Sequence, residues 1–220
     1  MAYGLVIFDF DGTLVDSERC IHAAMTAALQ ECGIPGDLSR LKRQIGMPLD
    51  DSVRGLVDVE LDDATVGRVI ESYRRHHRLL QHDLIRLYPR VADALGDLAA
   101  AGVQLAIASS KLSTAVRETL AQFELAPLFD EIVGGEQVVR GKPDPEMIDE
   151  VLTALGRGRD ETLFVGDTVF DVAMARNAGI DSCAVTYGNQ TLEQISSAHP
   201  RYIANSIDEV VLVALRRLAP

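Results

Sequence analysis

The chain has 220 residues, 47% of them apolar and 25% charged, which is the make-up of a globular protein with a sizeable core and excludes a disordered or fibrous one. A formal net charge of −12 argues against a surface for nucleic acid or an anionic membrane, so any anionic ligand must be held by a metal and a few local cations. Cys20, Cys32 and Cys183 are odd in number and far apart, giving neither a disulfide framework nor a zinc-binding pair.

The first predicted element is a strand over 4–8, a continuous apolar run suited to burial on both faces. It leads straight into Asp9-Phe10-Asp11-Gly12-Thr13, with no basic start or long apolar stretch before it, so neither a signal peptide nor a membrane span is expected and the protein is placed in the cytoplasm. Two carboxylates two residues apart in extended chain point the same way out of the strand end, where open α/β sheets place their ligands. Such a pair calls for a cation or a shared proton, and Mg²⁺, which takes carboxylate oxygens and keeps waters for a phosphate partner, answers that need. The plainer alternative is a surface turn, in which Asp, Gly and Thr are common.

Between Asp16 and Leu87 the pattern is helical, without a convincing strand, and predicts an inserted helical domain over 16–87. Ile21, Ala24, Met25, Ala28, Leu29 and Cys32 make one apolar stripe, closed by Gly33 and Pro35. Val66, Val69, Ile70, Tyr73 and Leu80 make another, and the two predict a helical hairpin. Shorter helical pieces over 38–45 and 51–57 flank the turn Gly46-Met47-Pro48. Arg74, Arg75, His76, His77 and Arg78 form the densest basic cluster of the chain, read first as a solvated helix face and secondly as a device for substrate selection. Arg19, His22 and Arg43 are further candidates to reach a leaving group.

Strands then alternate with helices: apolar runs over 103–108, 131–133, 162–165 and 182–187, with a weaker one over 202–204. The pattern is that of an α/β protein with a doubly wound, mainly parallel sheet, formed by residues 1–15 and 88–220. Ser109 closes the second run, in Ile107-Ala108-Ser109-Ser110-Lys111. Lys142 stands in Gly141-Lys142-Pro143-Asp144, and Gly166-Asp167-Thr168-Val169-Phe170-Asp171 follows the fourth run. Taken singly, Ser109 reads as a turn residue, Lys142 as a solvated charge and Asp167 as a helix cap.

In this order the four motifs resemble those of the haloacid dehalogenase superfamily in its phosphatase branch, and the insertion resembles that superfamily's smaller helical cap. The resemblance covers nearly the whole chain and is greatest for the phosphoglycolate phosphatase-like group, which includes enzymes for sugar phosphates, nucleotides and pyrophosphate. It implies a Rossmann-like core with strand order 3-2-1-4-5. It implies Mg²⁺-dependent hydrolysis of a small phosphorylated metabolite through an aspartyl phosphate on Asp9, with Asp11 as general acid and then base. Ser109 and Lys142 would hold phosphoryl oxygens, with Thr13, Ser110, Lys111 and Arg43 as further substrate contacts. Asp9, Asp11 through its backbone carbonyl, and Asp167 would ligate the metal, with Asp171 orienting this shell or joining it. A monomer or dimer with no nucleic-acid or membrane partner is expected. The nearest rival, a sugar-phosphate phosphomutase, fits less well, since Gly166 stands where mutases carry a second metal-ligating acid. From another class, a receiver-like phosphoaspartate module lacks a reason to carry an inserted lid.

Overall fold

The computed structural model describes residues 2–215. Six parallel strands form the main sheet: β1 (Leu5–Phe8), β4 (Gln104–Ser109), β5 (Glu131–Gly134), β6 (Thr162–Gly166), β7 (Asp181–Val185) and β8 (Tyr202–Ala204), in the order β5-β4-β1-β6-β7-β8. The first five of these run 3-2-1-4-5 across the sheet, as expected. The weak run over 202–204 pairs with β7 and extends the sheet to a sixth strand. All four residues of β1 are buried because helices cover both faces.

The period of two sorts the strand side chains. Val6, Phe8, Leu105 and Ile107 pack on one face against α5 (Val91–Ala100), α6 (Ser113–Gln122) and α10 (Ile207–Ala214). Leu5, Ile7, Ala106 and Phe164 pack on the other against α7 (Glu146–Leu155) and α8 (Val169–Ala178). A short helix, α9 (Leu192–Ser197), closes over Val172 and Ala184 through Ile195.

Residues 18–84 carry only helices: α1 (Glu18–Cys32), α2 (Leu41–Gln44), α3 (Leu49–Gly55) and α4 (Asp63–Leu84). Gly33 ends α1 in the left-handed region at φ 66° while Ile34 N–H returns to Leu29 O, and the Asp62 carboxylate opens α4 by accepting from Thr65 N–H. The two long helices pack together around a core of their own, in which Ile21, Met25 and Leu29 meet Val53, Leu56 and Val69. Each such fully buried side chain stabilises by roughly 1.5–3 kcal/mol, enough collectively to keep this lobe intact as a unit. Cys20 lies with the main core instead, and Cys32 packs at the edge of the lobe.

One correction belongs at the ends of the helical stretch. Where no strand was expected after Asp16, β2 (Val15–Asp16) pairs antiparallel with β3 (Arg86–Leu87), and Tyr88 N–H bonds Leu14 O, so the two connections form a narrow ribbon. Runs of two residues leave no periodicity to read. Among the described residues, no helix is long and apolar enough to cross a membrane.

Candidate active site

The carboxyl ends of β1, β4 and β6 converge where the strand order reverses, so residues distant in sequence meet there. Asp9 follows β1 and is buried, its N–H bonded to Val165 O. Lys142, on the loop between β5 and α7, is also buried and donates to Asp9 Oδ1 at 2.6 Å and to Asp171 Oδ1 at 2.7 Å. Asp9 Oδ2 is buried and accepts no hydrogen bond. Asp167 follows β6; its Oδ1 accepts from Thr13 Oγ1 at 3.2 Å and its Oδ2 from Asn189 N and Nδ2 at 2.7 and 2.9 Å. Asp171 sits in the first turn of α8, where its Oδ2 accepts from Thr168 N and Oγ1 while Thr168 Oγ1 accepts from Asp171 N–H, a capping box.

Asp9, Asp167 and Asp171 each bring an oxygen within 4.8 Å of the others. Three buried carboxylates face one lysine, an excess of two negative charges. Burial, with the like charge of Asp171 adding to it, outweighs Lys142 and pushes Asp9 up to about 7; burial and the two neighbouring acids push Asp167 up to about 8. Burial works against the Lys142 ammonium, but Asp171 and Asp9 together hold it well above its ordinary value. An oxygen-only donor set, an orphaned buried carboxylate oxygen and a deficit of two positive charges fit a hard divalent cation such as Mg²⁺. Asp171 has both oxygens engaged, which suits it to orienting Lys142 and the start of α8.

Gly12 is needed where it stands. Its φ is +92°, and a methyl group there would overlap the Asn189 amide and the Asp167 carboxylate. A side chain on Gly166 would in turn overlap Asp171, so no acid can stand there without displacing α8.

Asp11, two residues past Asp9, turns into a separate arrangement. Lys111 Nζ lies 3.0 and 3.1 Å from its two oxygens and 3.0 Å from His77 Nε2 on α4. Burial raises the Asp11 carboxyl, but Lys111, a hydrogen bond from Ser17 and His77 together hold it below its ordinary value. Burial, with Lys111 beside it, pushes His77 down to about 3, so the imidazole is neutral and accepts from Lys111.

A cavity of about 120 Å³ opens above Asp9, Asp11 and Ser109, roofed by the helical lobe. Ser110 Oγ bonds Gly46 O at 2.8 Å, and Gly46, at φ +97°, passes so close to Thr168 that a Cβ would stand 3.2 Å from its methyl carbon. The basic cluster on α4 divides: Arg74, His77 and Arg78 line the cavity, whereas Arg75 and His76 pair with Glu31 on α1.

The structure therefore brings Asp9, Asp11, Ser109, Ser110, Lys111, Lys142, Asp167 and Asp171 to one place. Thr13 is there too, but its hydroxyl is spent on Asp167 and its carbonyl accepts from Tyr187. Arg43 is exposed and does not line the cavity, nor do Arg19 and His22. Asn189, which ties Asp167 to the carbonyl of Asp11, and Tyr187 were not anticipated, since a lone polar residue after a strand carries no periodic signal.

Comparison with known proteins agrees with this geometry. Residues 6–185 match the family model described as Haloacid dehalogenase-like hydrolase. A phosphoglycolate phosphatase of Vibrio parahaemolyticus is 32% identical over 218 residues, covering 95% of this chain and 95% of the relative. A pyrophosphatase of Halalkalibacterium halodurans is 30% identical over 213 residues, covering 96% of each. The crystal structure of a predicted phosphatase from Clostridium acetobutylicum superposes with a TM-score of 0.89 at 30% identity, covering 98% of this chain and 100% of that one.

Proposed function

Since the chain belongs to the haloacid dehalogenase-like hydrolase family, as one of its phosphatases, we propose that it hydrolyses a small phosphate monoester with Mg²⁺ through an aspartyl phosphate formed on Asp9. The observation that carries this reading is the buried, unbonded Oδ2 of Asp9, held beside Lys142 and two further carboxylates at the floor of a roofed cavity. Asp9 and Asp167, with the Asp11 carbonyl that Asn189 positions, would hold the metal, which when bound neutralises the excess negative charge and polarises the phosphoryl group.

The steps follow from the chain's own groups. A carboxylate oxygen of Asp9 attacks phosphorus, and the ester oxygen leaves with a proton from Asp11. Asp11, now a carboxylate, takes a proton from water, whose oxygen attacks the phosphoaspartate and releases phosphate and Asp9. Lys142 offsets the charge of Asp9, and Ser109 offers its hydroxyl to a phosphoryl oxygen. In the substrate-free state Lys111 clamps Asp11 as a carboxylate; an entering phosphoryl dianion gives Lys111 a second anion to face and loosens that hold, so that Asp11 takes up from solvent the proton it then gives to the ester oxygen. Residues 16–87 act as a cap that shuts out bulk solvent while leaving room for the one water that attacks the intermediate, and a lid of this kind suits turnover better than a switch that must be read from outside. The absence of space for a side chain at 166 disfavours the mutase reading.

Asp9→Asn tests the proposal, because an amide of nearly the same shape is a poor nucleophile. Turnover of an aryl phosphate with Mg²⁺ should fall by about three orders of magnitude or more, with an unchanged circular dichroism spectrum. Retention of about a tenth of the activity would sink the assignment.

A further inference from the structure

The relatives named above act on phosphoglycolate and pyrophosphate, whose leaving groups are small and highly polar. The cavity above Asp9 is built for something else. Its inner wall is carbon: Ile21, Met25, Leu41 and Ile45 are buried there, and Tyr73 and Leu112 are half-buried. Charged groups are confined to the floor, where Asp11 and Lys111 hold each other, and to the mouth, where Arg74, Arg78 and Glu118 are exposed.

Several of the polar side chains between floor and mouth already have partners. Ser52 Oγ donates to Gln44 O at 3.0 Å and His77 Nε2 meets Lys111, whereas the Gln44 amide and the Tyr73 hydroxyl make no hydrogen bond among the described residues. Gln81 gives its N–H to Glu118 at 3.1 Å, leaving Oε1 as the one buried, unbonded side-chain atom of the cavity wall above the floor, among the described residues. A sugar or nucleoside would bring several hydroxyls against Ile21, Met25, Leu41 and Ile45, and buried hydroxyls left unmatched there are costly. An apolar body would lose nothing there. The space is about 120 Å³ in all, and the phosphoryl group takes the part next to the floor, so only a compact body fits beside the carbon wall.

From these observations we propose that the substrate's alcohol carries a compact apolar body of a few carbons, such as a short branched chain, seated against Ile21, Met25, Leu41 and Ile45. The inference rests on the phosphatase reading and deepens it: the floor takes the phosphoryl group, and the carbon wall selects what leaves.

A series of alkyl phosphates tests it, because the basicity of the leaving alkoxide changes little from ethyl to n-propyl, n-butyl and isopentyl. With the wild-type protein and Mg²⁺, each methylene buried should multiply kcat/KM about fourfold, giving about fifty-fold between the ethyl and isopentyl esters. Isopentyl phosphate should exceed 2-phosphoglycolate and a hexose 6-phosphate by at least about tenfold. Met25→Asn and Ile45→Asn should bring the isopentyl-to-ethyl ratio down toward one, and a ratio measured on one preparation does not depend on the fraction folded. A flat series, or faster turnover of the glycolate or hexose ester, would overturn the apolar pocket and leave the phosphatase reading standing. Failure to hydrolyse any ester, an aryl phosphate included, would instead remove that reading and the inference with it.

Discussion

Lys111 and Asp11 pair so closely that the proposed general acid is ionised in the substrate-free site, although burial works against its charge. Its value to catalysis therefore depends on how much the leaving group needs a proton. Asp11→Asn should cost an aryl phosphate less than about tenfold, and an alkyl phosphate about 10²–10⁴-fold, the usual contribution of general acid catalysis. Parallel steady-state assays of the two esters check this, and equal losses would show that Asp11 is not the acid. The spacing Asp9-x-Asp11 was legible because two acids beyond an apolar run are unusual. The Lys111 clamp was not, since it joins residues 100 apart through a geometry that only the sheet creates.

At the scale of elements, the strands over 4–8, 103–108 and 162–165 could be read because a strand covered on both faces must be apolar throughout. The end of α1 could be read as well: Gly33 takes left-handed φ, at 66°. The split in the basic cluster was hidden, because which cations face the cavity depends on how α4 is rotated against α1, a packing outcome absent from local sequence. Ser110 to Gly46 and Lys111 to His77 are among the contacts that join the helical lobe to the site, and both sit on elements that must separate if substrate enters from the mouth. Binding Mg²⁺ with a phosphate-mimicking metal fluoride should slow amide exchange across residues 44–49 and around His77 while leaving β1 and β6 unchanged. Identical exchange with and without the mimic would mean a fixed lobe.

Across the whole molecule, the cluster of acids couples folding to pH and metal. Asp9 and Asp167 are raised in the metal-free fold, to about 7 and about 8, from an unfolded value of 3.8. Between these limits these two groups bind more protons in the folded chain than in the unfolded one, so the stability they contribute is full below the unfolded value and declines as pH rises toward 8. In excess chelator Tm should fall by several degrees between about pH 5 and about pH 8, and the rise in Tm on adding Mg²⁺ should be larger at the higher pH. Equal stabilisation at both pH values would separate these acids from the metal. The ribbon of β2 and β3 has a different kind of consequence. Because Val15 lies opposite Leu87 and Asp16 opposite Arg86, the chain leaves the sheet and re-enters it at adjacent points, like a garment pocket stitched at one seam. A gene in which a two-residue Asn-Gly turn replaces the helical stretch from Ser17 to Ile85 should thus still encode a continuous β-hairpin joining β1 to α5. That shortened protein should keep its six-stranded sheet, at some loss of stability from uncovering the surface where Cys20 and Ile85 now pack. It should hydrolyse small and bulky esters alike; if it retained the full chain's preferences, selectivity would have to be written in the sheet and its loops.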